Sequence, residues 1–184
     1  MSQLAFIKPG PEFGELFQTF EHTAFRLEVR ESYNAPSETE SFRRFRAGEQ
    51  VDLSWAENWY SMIRKATAEG RRFARVRVVS VPLSDYSRFG LWAARFTTEA
   101  GEDIRYLQRD VAEQLDLPNH DYWLFDSRLL LMMRFADDDR FLGGELIDDP
   151  AELVRHNHWR DVAQHHATKR NEFVAKHEQR DDQR

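Results

Sequence analysis

The chain has 184 residues, 41% hydrophobic and 32% charged, with 14 Phe and 5 Trp. That is enough apolar material for one core, and it excludes wholesale disorder. The formal net charge of −6 argues against a globally basic nucleic-acid binder, and the absence of cysteine excludes disulfides, a thiolate nucleophile and a Cys-ligated zinc site.

No stretch is long and apolar enough to cross a bilayer. The opening MSQLAFIKPGPEFGELF has one Lys and no long apolar run, so it does not read as a signal peptide. A cytoplasmic location away from membranes is expected. Residues 1–12, ending in Lys8-Pro9-Gly10-Pro11, read as an irregular arm. Residues 13–176 read as a single globular domain and 177–184 as a frayed polar tail.

Phe13, Leu16, Phe17 and Phe20 recur at helical spacing and predict a short helix. Ala24 to Arg30, AFRLEVR, alternates with period two and predicts a half-buried strand. Ser37 with Glu40, and Ser54 with Glu57, have the spacing of N-terminal capping boxes. The first predicts a short helix that packs Phe42 and Phe45 and stops at Gly48. The second predicts a helix over 55–69, with Trp55, Trp59, Met62, Ile63 and Ala66 on one stripe and Gly70 closing it. Phe73 to Val81 predicts a strand, Leu83 to Phe96 a helix started near Ser84, and Ile104 to Leu107 a short strand.

Val111 to Leu115 predicts a helical turn. Tyr122–Phe125, Leu129–Phe135 and Phe141–Ile147 predict antiparallel strands, with a polar turn at Ala136-Asp137-Asp138-Asp139. Gly143-Gly144 reads as a bulge. Asp149-Pro150-Ala151-Glu152 opens one long final helix, with Trp159, Val162, Ala163, Ala167, Phe173 and Val174 as its buried stripe. The fold class is therefore α/β, or α+β. It is a single domain with a mixed, mostly antiparallel sheet, one parallel strand–helix–strand crossover from Phe73 to Leu107, and helices packed on the sheet.

Four groups of residues could carry chemistry. Arg75 and Arg77 share a strand face with Phe73 and Val79, where unpaired charge is costly. Asp85, Glu102, Asp121 and Asp126 are their candidate partners. Ligand sites in open α/β sheets gather near strand ends, so a pocket is expected among Arg75, Arg77, Asp85, Tyr86, Arg88, Arg105 and Asp126. An internal ion-pair network is the plainer reading.

His120, Asp121 and Asp126 form the second group, in NHDYWLFDSRLLLMMRF. The stretch AGEDIRYLQRD…NHDYWLFDSRLLL resembles the context of a phospholipase D-like motif, in which a histidine attacks phosphorus and a lysine two residues on binds the phosphoryl oxygens. Here Tyr122 stands at the lysine position, Asp126 falls one residue short, and no second His-x-Lys pair exists. The resemblance implies a degenerate scaffold. A phosphodiesterase would use His120, Asp121 and Asp126, with Arg75 or Arg105 clamping phosphate. The plainer reading is polar capping of a hairpin.

His158, Asp161 and His165 share one helical face, which a metal could use but which reads more simply as solvated; His166 reads as a core residue. Arg43, Arg44, Arg46, Arg71 and Arg72 interleave with aromatics, a pattern compatible with nucleic acid. No glycine-rich phosphate loop or nucleophile elbow is present. No cofactor or metal is expected.

The stretches FGELFQTFEHTAFRLEVRESYN, RVRVVSVPLSDYSRFGLW, AGEDIRYL, DYWLFDSRLLLMMRF and GELIDDPAELVRHNHWRD resemble, in order, a family of uncharacterised actinobacterial proteins, a domain of unknown function. Its members look like products encoded beside Xre-type helix-turn-helix regulators. That resemblance implies a non-enzymatic regulatory accessory protein whose partner is such a regulator. The acidic charge fits docking on a basic DNA-binding domain.

Overall fold

The computed structural model describes residues 3–181. Eight strands form one mixed sheet in the order β1-β7-β6-β5-β2-β3-β4-β8. β1 (Gln3–Ile7) pairs antiparallel with β7 (Phe141–Ile147). The expected N-terminal arm is thus an edge strand. Ile7 is buried, and Pro9-Gly10 break the chain only after it.

β2 (Thr23–Glu28), β3 (Arg72–Val79) and β4 (Asp103–Gln108) run parallel and adjacent. The crossover between β3 and β4 is joined by a second between β2 and β3, which the sequence pattern did not indicate. β5 (Tyr122–Phe125), β6 (Leu129–Phe135) and β7 continue the sheet antiparallel on the other side of β2. Their spans are those expected from the apolar runs on either side of the turns.

Period two also divides the sheet into two faces. On one face, Phe25, Leu27, Val76, Val78, Tyr122, Leu124 and Leu130 form a continuous apolar cluster. It is covered by α5 (Arg109–Gln114) and α6 (Pro150–His166). On the other face lie α1 (Pro11–Thr19), α2 (Thr39–Arg46), α3 (Glu57–Ala68) and α4 (Asp85–Ala100). Phe17 of α1 is the hub there. Its ring centre lies 5.2 Å from Phe13, 5.3 Å from Trp59, 4.8 Å from Trp123 and 5.4 Å from Phe125. Such offset and edge-on contacts suit the ring quadrupoles and add to the burial energy.

Neither expected capping box forms. Ser37 and Ser54 fall inside 3-10 turns, Pro36–Glu38 and Ser54–Ala56, which lead into α2 and α3 without a side-chain cap. The Ser54 hydroxyl donates instead to Asp52. Ser84 does cap α4, accepting from the Ser87 amide, and Gly101 closes it in a left-handed conformation at φ 115°. Asp149 caps α6 through the Ala151 and Glu152 amides.

The expected single C-terminal helix is two. Ala167 turns extended, and Thr168–Lys169 form β8 on the edge of β4 before α7 (Arg170–Asp181) begins. The free edge of β4 competes successfully with helix continuation, because pairing satisfies its open backbone groups. α7 returns Phe173 to stack on Tyr106 at 5.0 Å. It also runs on past 177, where a frayed tail was expected; residues 182–184 lie outside the described residues.

At the other edge, Gly143 has φ +136°, and a Cβ there would meet the Ile7 carbonyl at 2.4 Å. Leu142 is the extra residue of a bulge between Arg134↔Gly143 and Phe135↔Phe141. Among the described residues, no helix is long and apolar enough to cross a membrane.

Phe73, 1% exposed, packs against Phe17, Phe20, Trp59 and Trp123. Phe73→Ala should cost about 3–5 kcal/mol, which for a chain of this size lowers Tm by roughly 6–20 °C. Urea and thermal melts check this. A loss below about 1 kcal/mol would show that the aromatic cluster is not what holds the helices to the sheet.

Candidate functional site

The alternation that builds the helix-covered face also places charge in its centre. Arg26 and Glu28 of β2 point to the same side as Ala24, and Arg75 and Arg77 of β3 to the same side as Phe73. The parallel register sets Arg26 beside Arg75 and Glu28 beside Arg77. Glu102 enters β4 and Asp121 enters β5 on this face, both fully buried as side chains.

Glu28 is shared by three arginines. Its Oε1 lies 3.0 Å from Arg26 Nη1 and 3.0 Å from Arg75 Nη1, and its Oε2 lies 3.5 Å from Arg77 Nη1. Arg75 is further engaged by Glu102 through Nε at 2.9 Å and Nη2 at 3.4 Å. Arg26 reaches Asp121 at 3.6 Å. Asp121 also accepts from the Val29 amide and the Tyr33 hydroxyl.

Burial opposes ionisation of Glu28, but the charges of Arg26, Arg75 and Arg77 outweigh it and hold the carboxyl at about 2. Asp121 and Glu102 go the other way: burial raises both despite their arginines. Burial also raises Glu38, which accepts from the Tyr86 hydroxyl at 2.8 Å.

Above this floor is a cavity of about 550 Å³. Arg26, Glu28, Arg75 and Arg77 form its polar base, with Tyr33, Glu38 and Tyr86 at one side. Phe17, Trp59, Phe89, Trp123, Phe135 and Phe141 form its walls. A mostly apolar cavity of this size with a few converging polar groups is the usual form of a small-molecule site.

Its arginines are incompletely matched. Among the described residues, four buried side-chain nitrogens have no hydrogen-bond partner: Arg26 Nε, Arg30 Nε, Arg77 Nε and Arg77 Nη2. All but Arg30 Nε belong to residues that line the cavity. Every one is a donor. The Arg77 guanidinium carbon lies 5.6 Å from the ring centres of both Tyr33 and Tyr86. Helix α4 passes close above it, and a Cβ on Gly90 would meet Arg77 Nη1 at 3.2 Å.

Of the residues expected in a pocket, Arg75, Arg77 and Tyr86 line this cavity. Asp85 does not; it sits exposed at the start of α4 and pairs with Arg46. Arg88 donates to the Leu83 carbonyl. Arg105 points to the opposite face of β4, bound to Asp103 and the Gln164 carbonyl. Asp126 lies in the β5–β6 turn, where its carboxylate accepts from the amides of Glu21, His22 and Thr23. Burial would raise Asp126, but those amides pull it below its ordinary value.

These four fall away for one reason. Spacing along the chain does not say which side of a strand or helix faces the cavity. The central Glu28, with Arg26, Tyr33 and Glu38, was missing from the expectation. Its signal is present in AFRLEVR, where charges alternate just as they do in FARVRVV.

His120, Asp121 and Asp126 do not meet in one site. His120 Nε2 lies 3.0 Å from His156 Nε2 on α6, and His156 Nδ1 lies 2.8 Å from the Glu152 carbonyl. Burial, then the neighbouring His156 and Arg134, lower His120 to about 4. Asp121 belongs to the arginine floor and Asp126 to the turn. On α6, His158, Asp161 and His165 are exposed. His166 is exposed as well, contrary to its expected core position; His156, 1% exposed, is the buried histidine of that helix. Among the described residues, no group of three or more His, Asp or Glu is arranged to hold a metal ion.

Of the basic clusters, Arg43, Arg44, Arg46 and Arg71 are ion-paired, while Arg72 is exposed at the start of β3. Arg43 and Arg44 bind Glu40, Arg43 also binds Glu49, and Arg71 binds Glu69 and the carbonyls of Gln18 and Phe20.

Residues 11–175 match the model of a family described as Domain of unknown function (DUF6879), and the chain belongs to that family. The chain matches no curated protein.

Glu28 supplies the most direct test of the floor. Its folded pKa of about 2 is below the ordinary value of 4.5, so its stabilisation is complete above about pH 4.5 and is lost as the pH falls toward 2. Glu28→Gln should cost about 3 kcal/mol near neutral pH. The difference between parent and variant should shrink below pH 4.5. Glu38, Glu102 and Asp121 are each raised in part by the Glu28 charge, so all three move down in the variant and add to the pH dependence of that difference. Urea melts at several pH values measure it, and a difference independent of pH would remove Glu28 from the centre of the network.

Proposed function

We propose that this member of the DUF6879 family is a non-enzymatic regulatory protein that holds a small molecule in its cavity and acts on a protein partner. One observation carries the reading: cavity-lining arginines retain buried donors that no group of the protein accepts. Buried donors left unmatched cost about 1–3 kcal/mol each. An acceptor drawn into the cavity from outside would recover that cost.

The partner comes from the resemblance to actinobacterial proteins encoded beside Xre-type helix-turn-helix regulators. On that reading the partner is the regulator, and the complex forms in the cytoplasm. The rim of the cavity supports it. The hairpin turn at Ala136–Asp139 exposes Asp137 and Asp138. Asp139 of the same turn lines the cavity and is tied to Arg30, to the Ser32 hydroxyl at 2.9 Å, and through its carbonyl to the Asn34 amide at 3.1 Å. An acidic turn anchored to a ligand cavity is suited to meet a basic DNA-binding surface.

A phosphodiesterase on a phospholipase D-like scaffold has no comparable support, since His120, Asp121 and Asp126 serve three separate structural roles. Direct nucleic-acid binding is equally unsupported, with Arg43, Arg44, Arg46 and Arg71 all ion-paired.

Mixing the purified chain with the helix-turn-helix regulator encoded nearest to it should yield a joint complex on sizing. The double variant Asp137→Asn, Asp138→Asn should weaken that complex, most visibly at low salt. Two proteins that elute separately under all salt conditions would end the accessory reading.

A further inference from the structure

We propose that the cavity selects a monoanionic carboxylate on a planar aromatic body, with Arg77 as the residue that recognises the carboxylate. The inference rests on the cavity being a ligand site.

The headgroup follows from the donors. The unmatched nitrogens on cavity-lining residues, Arg26 Nε with Arg77 Nε and Nη2, are all donors and are closed off from water, so a ligand that supplies acceptors as the Arg77 side chain adjusts toward it meets a need the protein leaves unfilled. The three arginines are not equivalent. Arg75 is saturated, with both Glu28 and Glu102 on its fork at 2.9–3.4 Å. Arg26 is divided between Glu28 and Asp121. Arg77 has only Glu28 Oε2 at 3.5 Å, the outer limit of a hydrogen bond, and its side chain is 9% exposed. It is the arginine of the floor held at the greatest distance from the shared Glu28 carboxylate. A planar guanidinium fork binds a carboxylate through two parallel hydrogen bonds.

Charge sets the valence. The floor holds three arginines against Glu28, Glu102 and Asp121. These charges balance, so a ligand's charge has to be met by Arg77 alone, whose contact with the carboxylate it shares with Arg26 and Arg75 is the longest of the three, and one guanidinium meets one negative charge. A dianionic phosphate would place its second charge beside Glu28 without a cation to meet it, and a buried unpaired charge is strongly disfavoured.

The body follows from the walls. Trp59, Trp123, Phe17 and Phe89 line the space above the floor, and rings favour ring partners in offset or edge-on geometry. A volume of about 550 Å³ admits a mono- or bicyclic aromatic acid.

Gly90 shows how closely Arg77 is accommodated. It lies inside α4, where alanine would suit a helix better. A Cβ there would stand 3.2 Å from Arg77 Nη1 and 3.4 Å from Cζ, so the guanidinium would have to shift by a few tenths of an ångström.

The test is isothermal titration calorimetry of the full chain with 2-naphthoate, 2-naphthamide and 2-naphthyl phosphate, which share one body and differ in headgroup. Naphthoate should bind about tenfold or more tightly than either of the others. Arg77→Met should abolish that preference while leaving the amide's affinity within about threefold. Gly90→Ala keeps the whole floor and should fold at least as well as the parent. It should cut naphthoate affinity several-fold with little effect on the amide, and it carries the test if Arg77→Met fails to fold. Equal binding of all three compounds, or a carboxylate preference that survives both variants, would overturn the carboxylate assignment while leaving a ligand cavity in place. Tighter binding of the phosphate would do the same. No binding by any of the three at millimolar concentration would overturn the cavity as a ligand site, and the ligand-responsive reading with it.

Discussion

A carboxylate shared by three arginines is the constraint around which this domain is arranged. Glu28 is 2% exposed, at the base of the cavity. Removing such a group from water is costly, and only close cations offset the loss. Arg26, Arg75 and Arg77 do so, which commits two adjacent parallel strands to a charged centre on one face. The opposite face of the same strands carries Phe25, Leu27, Val76 and Val78 and packs normally under α5 and α6. A buried ion cluster is weak evidence of stability, because apolar residues of similar volume often serve as well or better. Its presence in an otherwise aromatic core points to recognition.

The cavity is a consequence of that charge. Helices α1, α3 and α4 carry rings that would close over an apolar sheet. Over the arginine floor they do not close completely, and the charged groups of Arg26, Glu28, Arg75 and Arg77 stay at the base of the cavity. The rings instead pack on one another around the edge. Phe17 gathers Phe13, Trp59, Trp123 and Phe125 on one side, while Phe89 gathers Phe42, Phe45 and Trp92 on the other. Two aromatic clusters flank a polar gap, and each is rigid enough to hold it open.

Much of this was legible residue by residue and little of it as a site. The β5, β6 and β7 spans followed from apolar runs bounded by turn residues, and the Ser84 and Asp149 caps from local chemistry. The capping boxes at Ser37 and Ser54 failed because a matching spacing does not decide whether the hydroxyl faces the helix amides; Ser54 turns to Asp52. The break at Ala167 was invisible because its cause is the open edge of β4, far away in sequence. Arg75 and Arg77 declared themselves by needing partners. The partner at the centre, Glu28, lies 47 residues from Arg75, in a strand whose neighbour no local pattern identifies. The charges of AFRLEVR read as a solvent face until β3 is placed beside β2.

The geometry of the rim determines which ligands could have consequences outside the cavity. A ligand changes the rest of the protein only through contacts that differ between two states. Contacts confined to Phe17, Trp59 and Trp123 meet residues that are packed the same way throughout the core, and so leave the surface as it is. Contacts at Tyr33 are different. Tyr33 rests on Arg26 and Arg77, bonds Asp121, and packs its ring 5.5 Å from Phe135 at the base of the acidic hairpin. The segment that carries it is fastened to that hairpin by Ser32, Asn34 and Arg30 at Asp139. A carboxylate drawing on Arg77 therefore competes for the guanidinium on which Tyr33 rests. Through Tyr33 and Asp139 the chain of contacts that begins at Arg77 ends beside the exposed Asp137 and Asp138.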